Sequence, residues 1–162
     1  LVAAGRGLVR LVTLAPEHDD GQATIRWLVA QGILVSAGHC DPPADLLELA
    51  IDAGLAAFTH LGNGCPLSLH RHDNVIQRVL AADRLRWVML IPDAVHLPPA
   101  MVRTIIRAVG IERVIAAAMA ASMARVRQVL RDGVGLSEAD VTRLVSTNPA
   151  AALDAAMAAV RT

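Results

Sequence analysis

Apolar residues recur along the chain in short runs separated by longer segments with helical spacing. The short runs are rich in Val, Ile and Leu and predict five strands, at residues 8–14, 33–36, 56–59, 86–91 and 114–117. The segments between them place apolar residues three and four positions apart, which is typical of amphipathic helices. Strands that alternate with helices indicate βαβ units and therefore a parallel sheet.

Start and stop residues set the limits of the intervening helices. Gly32 and Gly54 end the first two, and the second begins at Asp41 or Asp45 with prolines in its first turn. The predicted helices contain residues 22–31, 45–53, 75–80 and 99–109.

The C-terminal part of the chain shows helical spacing without strands. Three helices are predicted, at residues 120–131, 137–146 and 148–160, with Ser137 and the pair Asn148-Pro149 as their start signals. A closed eight-stranded barrel usually takes about 250 residues. The strands of this chain therefore form either a segment of such a barrel or a smaller open sheet.

Composition narrows the class of protein. The chain has 162 residues, 54% hydrophobic and 2% aromatic, which predicts one domain with a core of Ala, Val, Leu and Ile. Fifteen basic and fifteen acidic residues cancel, which argues against nucleic-acid and anionic-membrane partners. No apolar run approaches the roughly 20 residues of a membrane-spanning helix, and no leader is visible, so we expect a cytoplasmic protein. The chain contains no Lys, which excludes Schiff-base mechanisms that use a lysine.

Three histidines directly follow three predicted strands. His39 follows the second strand, His60 the third and His96 the fourth. The carboxyl ends of parallel strands share one edge, where α/β folds bind their ligands. Because imidazole is a common ligand of transition metals, His39 and His60 are candidate ligands of one ion. The alternative is that each is a polar strand-end residue bonded to the backbone, but three such histidines favour a site.

The two cysteines lie close to these histidines. Cys40 follows His39 directly, and Cys65 follows His60 by five positions. A disulfide is not expected in a reducing compartment, and thiolate ligation lacks a supporting Cys-x-x-Cys spacing. We expect two small buried or site-lining residues.

Several motifs carry a resemblance to a known family. They read VTLAPE at residues 12–17, GILVSAGH at 32–39, THLGNGCP and RHDNVI within 59–76, IPDAVHLP at 91–98 and STNPAAALD at 146–154. In this order and spacing they resemble the N-acetylglucosamine-6-phosphate deacetylases, (β/α)8-barrel members of the amidohydrolase superfamily. The resemblance implies a partial TIM-like barrel of about five parallel strands plus C-terminal helices. We expect a single domain over residues 1–162, part of something longer, without the family's first barrel strands and small β-sandwich domain.

The resemblance also implies a metal site. It makes His39 and His60 ligands of a divalent metal, with zinc expected and iron as the alternative. Such a metal activates water and polarises the acetamide carbonyl.

The substrate-binding residues follow from the same resemblance. Asn63 and Gly64 match the loop that holds the sugar phosphate, partly through backbone groups. Arg71 matches an arginine that binds the phosphate, often that of the neighbouring subunit, which implies a homodimer; the alternative is a solvated loop charge. His96 matches a histidine that contacts the substrate near the scissile amide, and its alternative is a buried structural residue.

The chain departs from the family pattern at the chemistry itself. The metal-binding glutamate of the His-Leu-Glu-Gly-Pro motif is missing, and Glu17 belongs to a different motif. Ala117 stands where the family has its general base and acid, an aspartate in Thr-Asp-Ala. The chain also passes from Ala121 to Ser122 where the family has a long insertion.

Two functional hypotheses follow, together with a third account of the sequence itself. The chain is an impaired metal-dependent deacetylase that converts N-acetylglucosamine 6-phosphate to glucosamine 6-phosphate and acetate. The alternative is a catalytically inactive remnant that binds the sugar phosphate or the metal without turnover. In the third account, segments are missing from the sequence and joined across a gap at Ala121 and Ser122.

Overall fold

A single sheet of parallel strands organises the chain. The computed structural model describes residues 2–118 and 122–158. The strands are β1 (Leu11–Leu14), β2 (Leu34–Ala37), β3 (Ala57–Phe58), β4 (Trp87–Leu90) and β5 (Val114–Ala116). Each strand pairs in parallel with the next along the chain, in the order β1-β2-β3-β4-β5. This winding is that of a barrel segment, because a helix returns the chain after every strand in the same direction.

Four helices connect the strands. They are α1 (Ala23–Ala30), α2 (Ala44–Asp52), α3 (Val75–Ala81) and α4 (Pro99–Val109). These five strands and four helices are all predicted by the sequence, with ends that differ by up to three residues. The largest difference is in β1, which starts at Leu11 because Leu8 is exposed and precedes the first pairing with β2.

The two faces of the sheet bury different partners. Side chains alternate along a strand, so Val88 and Leu90 of β4 join the main core with Ile25, Leu47 and other residues of the connecting helices. Trp87 and Met89 point to the opposite face. We call this opposite face the inner face, because in a closed barrel it would line the interior.

The C-terminal helices divide between the two faces of the sheet, and only the last of them packs against the inner face. They are α5 (Met123–Gln128), α6 (Glu138–Thr142) and α7 (Asn148–Ala158), and wider π-helical turns follow α5 and α6. Ala152 of α7 packs against the inner-face residues Leu34, Ala57, Trp87 and Ile115. The amide of Asn148 donates to the carbonyl oxygens of Ile111 and Val114, which anchors the start of α7 beside β5.

Some sequence expectations fall outside the described residues. The predicted helix start at residue 120, the last two positions of the helix predicted at 148–160, and Ala121 of the proposed gap belong to this group. Within residues 2–118 and 122–158, no helix has the length and apolar character needed to cross a membrane.

Candidate metal and substrate site

His39 and His60 meet at the carboxyl edge of the sheet. Their Nε2 atoms lie 3.0 Å apart, and the ring centroids are 4.6 Å apart with perpendicular planes. Both residues have left-handed backbone, with φ of 55° and 40°, which turns each chain sharply out of its strand. The expected proximity of the two imidazoles is found; their role as metal ligands stays a prediction.

The spacing of the two nitrogens suits either a hydrogen bond between the rings or a shared metal ion. Two imidazole nitrogens at 2.0–2.1 Å from a tetrahedral zinc are about 3.3 Å apart, close to the observed 3.0 Å. The carbonyl oxygen of Asn63 lies 2.9 Å from Nδ1 of His60 and can only accept, so this nitrogen carries the proton. The lone pair of His60 is therefore on Nε2, where a metal ligand needs it.

The backbone of Gly64 lies directly against both rings. A Cβ atom at this position would lie 2.8 Å from Nδ1 of His39 and 2.9 Å from Cε1 of His60. Both distances are shorter than carbon atoms tolerate, and φ of Gly64 is +72°. Only glycine lets the loop after β3 pass this close to the two imidazoles.

Three hydroxyl groups bond to one another near the carboxyl ends of the first three strands. Thr59 bonds to Ser36 at 2.7 Å and to Thr13 at 2.9 Å between their hydroxyl oxygens. Gly38 allows this contact, because a Cβ there would lie 2.8 Å from Cγ2 of Thr13 and 3.0 Å from Cβ of Thr59. The ends of β1, β2 and β3 are thus joined directly beneath the two imidazoles.

His96 is held by a carboxylate that the sequence analysis did not single out. Asp93 is 1% exposed and accepts from the backbone N–H groups of Val95 and His96 and from Nδ1 of the His96 ring at 2.7 Å. Burial alone would raise the pKa of Asp93, but these hydrogen bonds outweigh it and lower the pKa below its ordinary value. The bond fixes the His96 tautomer and leaves Nε2 for another partner. The sequence signal was an Asp three positions before a His, directly after a strand.

The predicted phosphate-binding residues lie in the long loop between β3 and α3. Asn63 is half-buried, and its side-chain nitrogen has no partner among residues 2–118 and 122–158. Arg71 is exposed, and its guanidinium makes no ion pair within those same ranges. The structure places Asn63 and Gly64 beside the imidazoles, with Arg71 further along the same loop. These roles in binding stay predictions.

Further metal ligands are not assembled in the described part of the chain. No group of three or more His, Cys, Asp or Glu side chains in it is arranged to hold a metal. Glu17 accepts from the backbone N–H of Asp41 at 3.0 Å, which engages its carboxylate in the loop. Both cysteines are free, and burial raises the pKa of Cys40 to about 12, with added repulsion from Glu17 and Asp41. The donor set therefore supplies two of the three or four protein ligands that a zinc site uses.

Ala117 follows β5 at the same edge. Its backbone N–H donates to the carbonyl oxygen of Leu90 at 2.8 Å, so it continues the pairing of β5 with β4. Its methyl group cannot accept or donate a proton.

Known proteins resemble this chain in sequence over part of their length. No family model matches it. The chain is 38% identical over 109 residues to N-acetylglucosamine-6-phosphate deacetylase of Bacillus subtilis, which covers 67% of the chain and 27% of that protein. It is 41% identical over 105 residues to the Bos taurus protein of the same name, covering 62% of the chain and 25% of that protein. The chain thus matches about a quarter of the length of these curated relatives.

Solved structures agree over nearly all of the chain. N-acetyl-D-glucosamine-6-phosphate deacetylase from Mycobacterium smegmatis superposes with a TM-score of 0.83 and 35% identity, covering 94% of this chain and 47% of that one. An aspartate-to-alanine variant of the M. smegmatis enzyme, solved in complex with N-acetyl-D-glucosamine-6-phosphate, gives a TM-score of 0.82 and 29% identity, covering 94% and 51%. The five-stranded sheet is therefore a partial barrel of the type these enzymes have.

Proposed function

We propose, since this chain is a relative of the N-acetylglucosamine-6-phosphate deacetylases and matches part of their length, that it forms the metal- and substrate-binding edge of such an enzyme. The reaction is hydrolysis of the acetamide of N-acetylglucosamine 6-phosphate, and in this chain it is impaired. The observation that carries the proposal is the 3.0 Å separation of Nε2 of His39 from Nε2 of His60.

His39 and His60 would hold a divalent metal, with zinc as the first choice and iron as the second. A bound metal of this kind polarises a carbonyl oxygen and makes a water molecule a better nucleophile. The carbonyl of Asn63 contributes by keeping the proton of His60 on Nδ1. Gly64 contributes by letting the loop approach the rings.

Binding of the sugar phosphate falls to the loop after β3. The side-chain amide of Asn63 and the backbone N–H of Gly64 suit phosphate oxygens, and the planar guanidinium of Arg71 suits a bidentate contact. Exposure of Arg71 supports a reach toward a neighbouring subunit and hence a homodimer. His96, oriented by Asp93, would accept or donate one hydrogen bond near the amide.

Catalysis lacks a proton acceptor at the end of β5. A general base contributes typically 10²–10⁴-fold to the rate of an enzyme, by order of magnitude, and Ala117 supplies none. A second candidate function, binding without turnover, is favoured by this alanine. The M. smegmatis variant with alanine in place of an aspartate holds its substrate, which supports the idea that binding survives such a loss.

Metal content and calorimetry test the proposal together. Purified protein should contain zinc or take it up, and His39→Asn and His60→Asn should each lower zinc affinity by at least ~10-fold, because one of two imidazole ligands is gone. His18→Asn, at an exposed position in the loop after β1, is the control. Titration with N-acetylglucosamine 6-phosphate should then show binding to the zinc-loaded protein.

Acetate release separates the two candidate functions. Slow release that depends on both histidines supports an impaired deacetylase, whereas binding without any release supports the second candidate. Zinc affinity that is unchanged in both histidine variants would overturn the metal site, and with it the proposed function.

A further inference from the structure

Arg78 joins the loop that carries the predicted phosphate-binding residues to the loop that carries His39. It lies on α3, and its side chain is 14% exposed. On one side its Nε donates to a carboxylate oxygen of Asp73 at 2.7 Å, and its Nη2 donates to the carbonyl oxygen of the same residue at 3.2 Å. Asp73 belongs to the loop between β3 and α3, two residues after Arg71.

On the other side the same guanidinium reaches the loop after β2. Its Nη1 donates to Oδ1 of Asp41 at 2.9 Å and to the carbonyl oxygen of Pro42 at 2.8 Å. Oδ1 of Asp41 also accepts from the backbone N–H of Val75 at 3.2 Å. The backbone N–H of Asp41 in turn donates to Glu17, in the loop after β1. One guanidinium thus links the loops after β2 and β3, and through Asp41 the loop after β1.

The low exposure of Arg78 and the loops that it joins distinguish these bonds from those of Arg84, although the Asp73 carboxylate is 67% exposed. Arg84 also pairs with two carboxylates, those of Glu48 and Asp52, but its side chain is 60% exposed. Both partners of Arg84 lie on α2. Because these ion pairs are exposed, they add little to stability. Arg78 instead bonds to four acceptors in two loops that have no regular structure of their own.

Opposite charges strengthen the contact between Arg78 and Asp73. The hydrogen bond from Arg78, more than any other contact, holds the pKa of Asp73 below its ordinary value. The Asp73 hydrogen bond likewise raises the pKa of Arg78. The contacts are therefore charge-assisted, and a guanidinium fork is the group best shaped to make several at once.

We propose that Arg78 is a positioning residue that holds the loop of residues 61–74 against the loop after β2, and so makes the site prefer phosphorylated over unphosphorylated amino sugars. The selectivity rests on the proposed function, in which Asn63, Gly64 and Arg71 contact the phosphate. The restraint of the loop does not rest on the proposed function. Arg78 itself is not placed in contact with substrate.

Three variants test the proposal on the full chain. Arg78→Met removes the fork, Arg78→Lys keeps the charge but not the fork, and Arg84→Met removes the exposed ion pair as a control. Amide hydrogen exchange measures the opening of residues 61–74. Calorimetry measures affinity for N-acetylglucosamine 6-phosphate, for N-acetylglucosamine and for zinc.

Arg78→Met should raise exchange in residues 61–74 and lower affinity for the sugar phosphate by about tenfold or more, because several charge-assisted bonds are lost together. Affinity for the unphosphorylated sugar and for zinc should change by less than about threefold, since neither depends on the phosphate loop in the same way. Arg78→Lys should fall between wild type and Arg78→Met, and Arg84→Met should match wild type. Should Arg78→Met fail to fold, Arg78→Lys decides the question by the same readings.

Two results overturn the inference. Unchanged hydrogen exchange in residues 61–74 of Arg78→Met would show that Arg78 does not restrain the loop. Equal losses of affinity for both sugars remove the selectivity, because a merely structural role would affect both alike. If the wild-type chain binds zinc but no sugar phosphate, the proposed function fails and the selectivity fails with it, while exchange alone still decides the restraint.

Discussion

Nδ1 of His60 donates a hydrogen bond to the carbonyl oxygen of Asn63 at 2.9 Å, and this bond links a predicted metal ligand to the loop that we propose binds phosphate. The carbonyl fixes the imidazole tautomer and, through the same turn, brings Gly64 over both rings. Substitutions within this turn of residues 60–64 should therefore affect metal binding and the local loop conformation together.

Gly64→Ala tests that dependence. The new Cβ would lie 2.8 Å from Nδ1 of His39, so the rings or the loop must shift. We expect zinc affinity, measured by calorimetry, to fall by at least ~10-fold, which is about 1.4 kcal/mol. Gly135→Ala is the control, because φ there is +85° and nothing lies within 4 Å of the new Cβ. An equal loss of zinc affinity in both variants would attribute the effect to backbone strain alone.

Ala117→Asp should restore a proton acceptor at the end of β5. We expect acetate release from N-acetylglucosamine 6-phosphate to rise toward the 10²–10⁴-fold that a general base typically contributes, by order of magnitude. Ala117→Asn has the same shape without the basic carboxylate and should show no gain. A coupled acetate assay measures both. No gain from Asp, or the same gain from Asn, would contradict the alignment of Ala117 with the aspartate of the family.

Asp93→Asn should lower stability in a way that depends on pH. The pKa of Asp93 in the folded chain lies below its ordinary value of 3.8, so the carboxylate stabilises the fold fully above that pH. This contribution is lost as the pH falls through the lowered pKa. We expect the free energy of unfolding of wild type to exceed that of the variant by about 1–3 kcal/mol near pH 6, because the substitution removes a buried charged acceptor of the His96 ring N–H. Urea titrations at several pH values check this.

The difference between wild type and Asp93→Asn should shrink below about pH 4, where the unfolded carboxylate becomes protonated. Asp132→Asn, at an exposed position, should change stability little at any pH. A difference that grows toward low pH would contradict the sign of the pKa shift.

Alkylation should distinguish the two cysteines. The Cys40 thiol is buried and its pKa is raised to about 12, so almost none is thiolate at pH 8. Cys65 is half-buried. We expect iodoacetamide to label Cys65 at least ~10-fold faster than Cys40 in the native chain, because the thiolate is the reactive species. Peptide mass spectrometry follows both, and equal rates are expected only in guanidinium chloride.

Most of the fold could be predicted because its pattern is local. Strand and helix periods differ, and glycines such as Gly32 and Gly54 end the helices, so the order of elements through α4 was predicted. The ends of the C-terminal helices were not, because apolar spacing does not distinguish α-helical from π-helical turns. The coverage of the inner face by α7 was also missed, since Ala152 and Ala156 carry no signal about which face they meet.

The site was predictable only where sheet geometry fixes it. His39 and His60 follow consecutive parallel strands, and that alone brings them to one edge. The role of Asp93 was missed because a single acidic residue in a loop forms no repeating pattern. The bond between Arg78 and Asp41 joins residues 37 apart, and its formation depends on how α3 packs, which no local spacing reveals.

His39 and His60 both have left-handed backbone, which is unfavourable for a residue with a side chain. A residue with a Cβ in that conformation costs roughly 1–2 kcal/mol, a cost that glycine avoids. His39→Gly should therefore lower zinc affinity by at least ~10-fold, as His39→Asn does, without lowering the melting temperature. At these two positions glycine would give the more stable fold, whereas a metal site needs the imidazole. Stability of the fold and metal binding at the carboxyl edge therefore favour different residues.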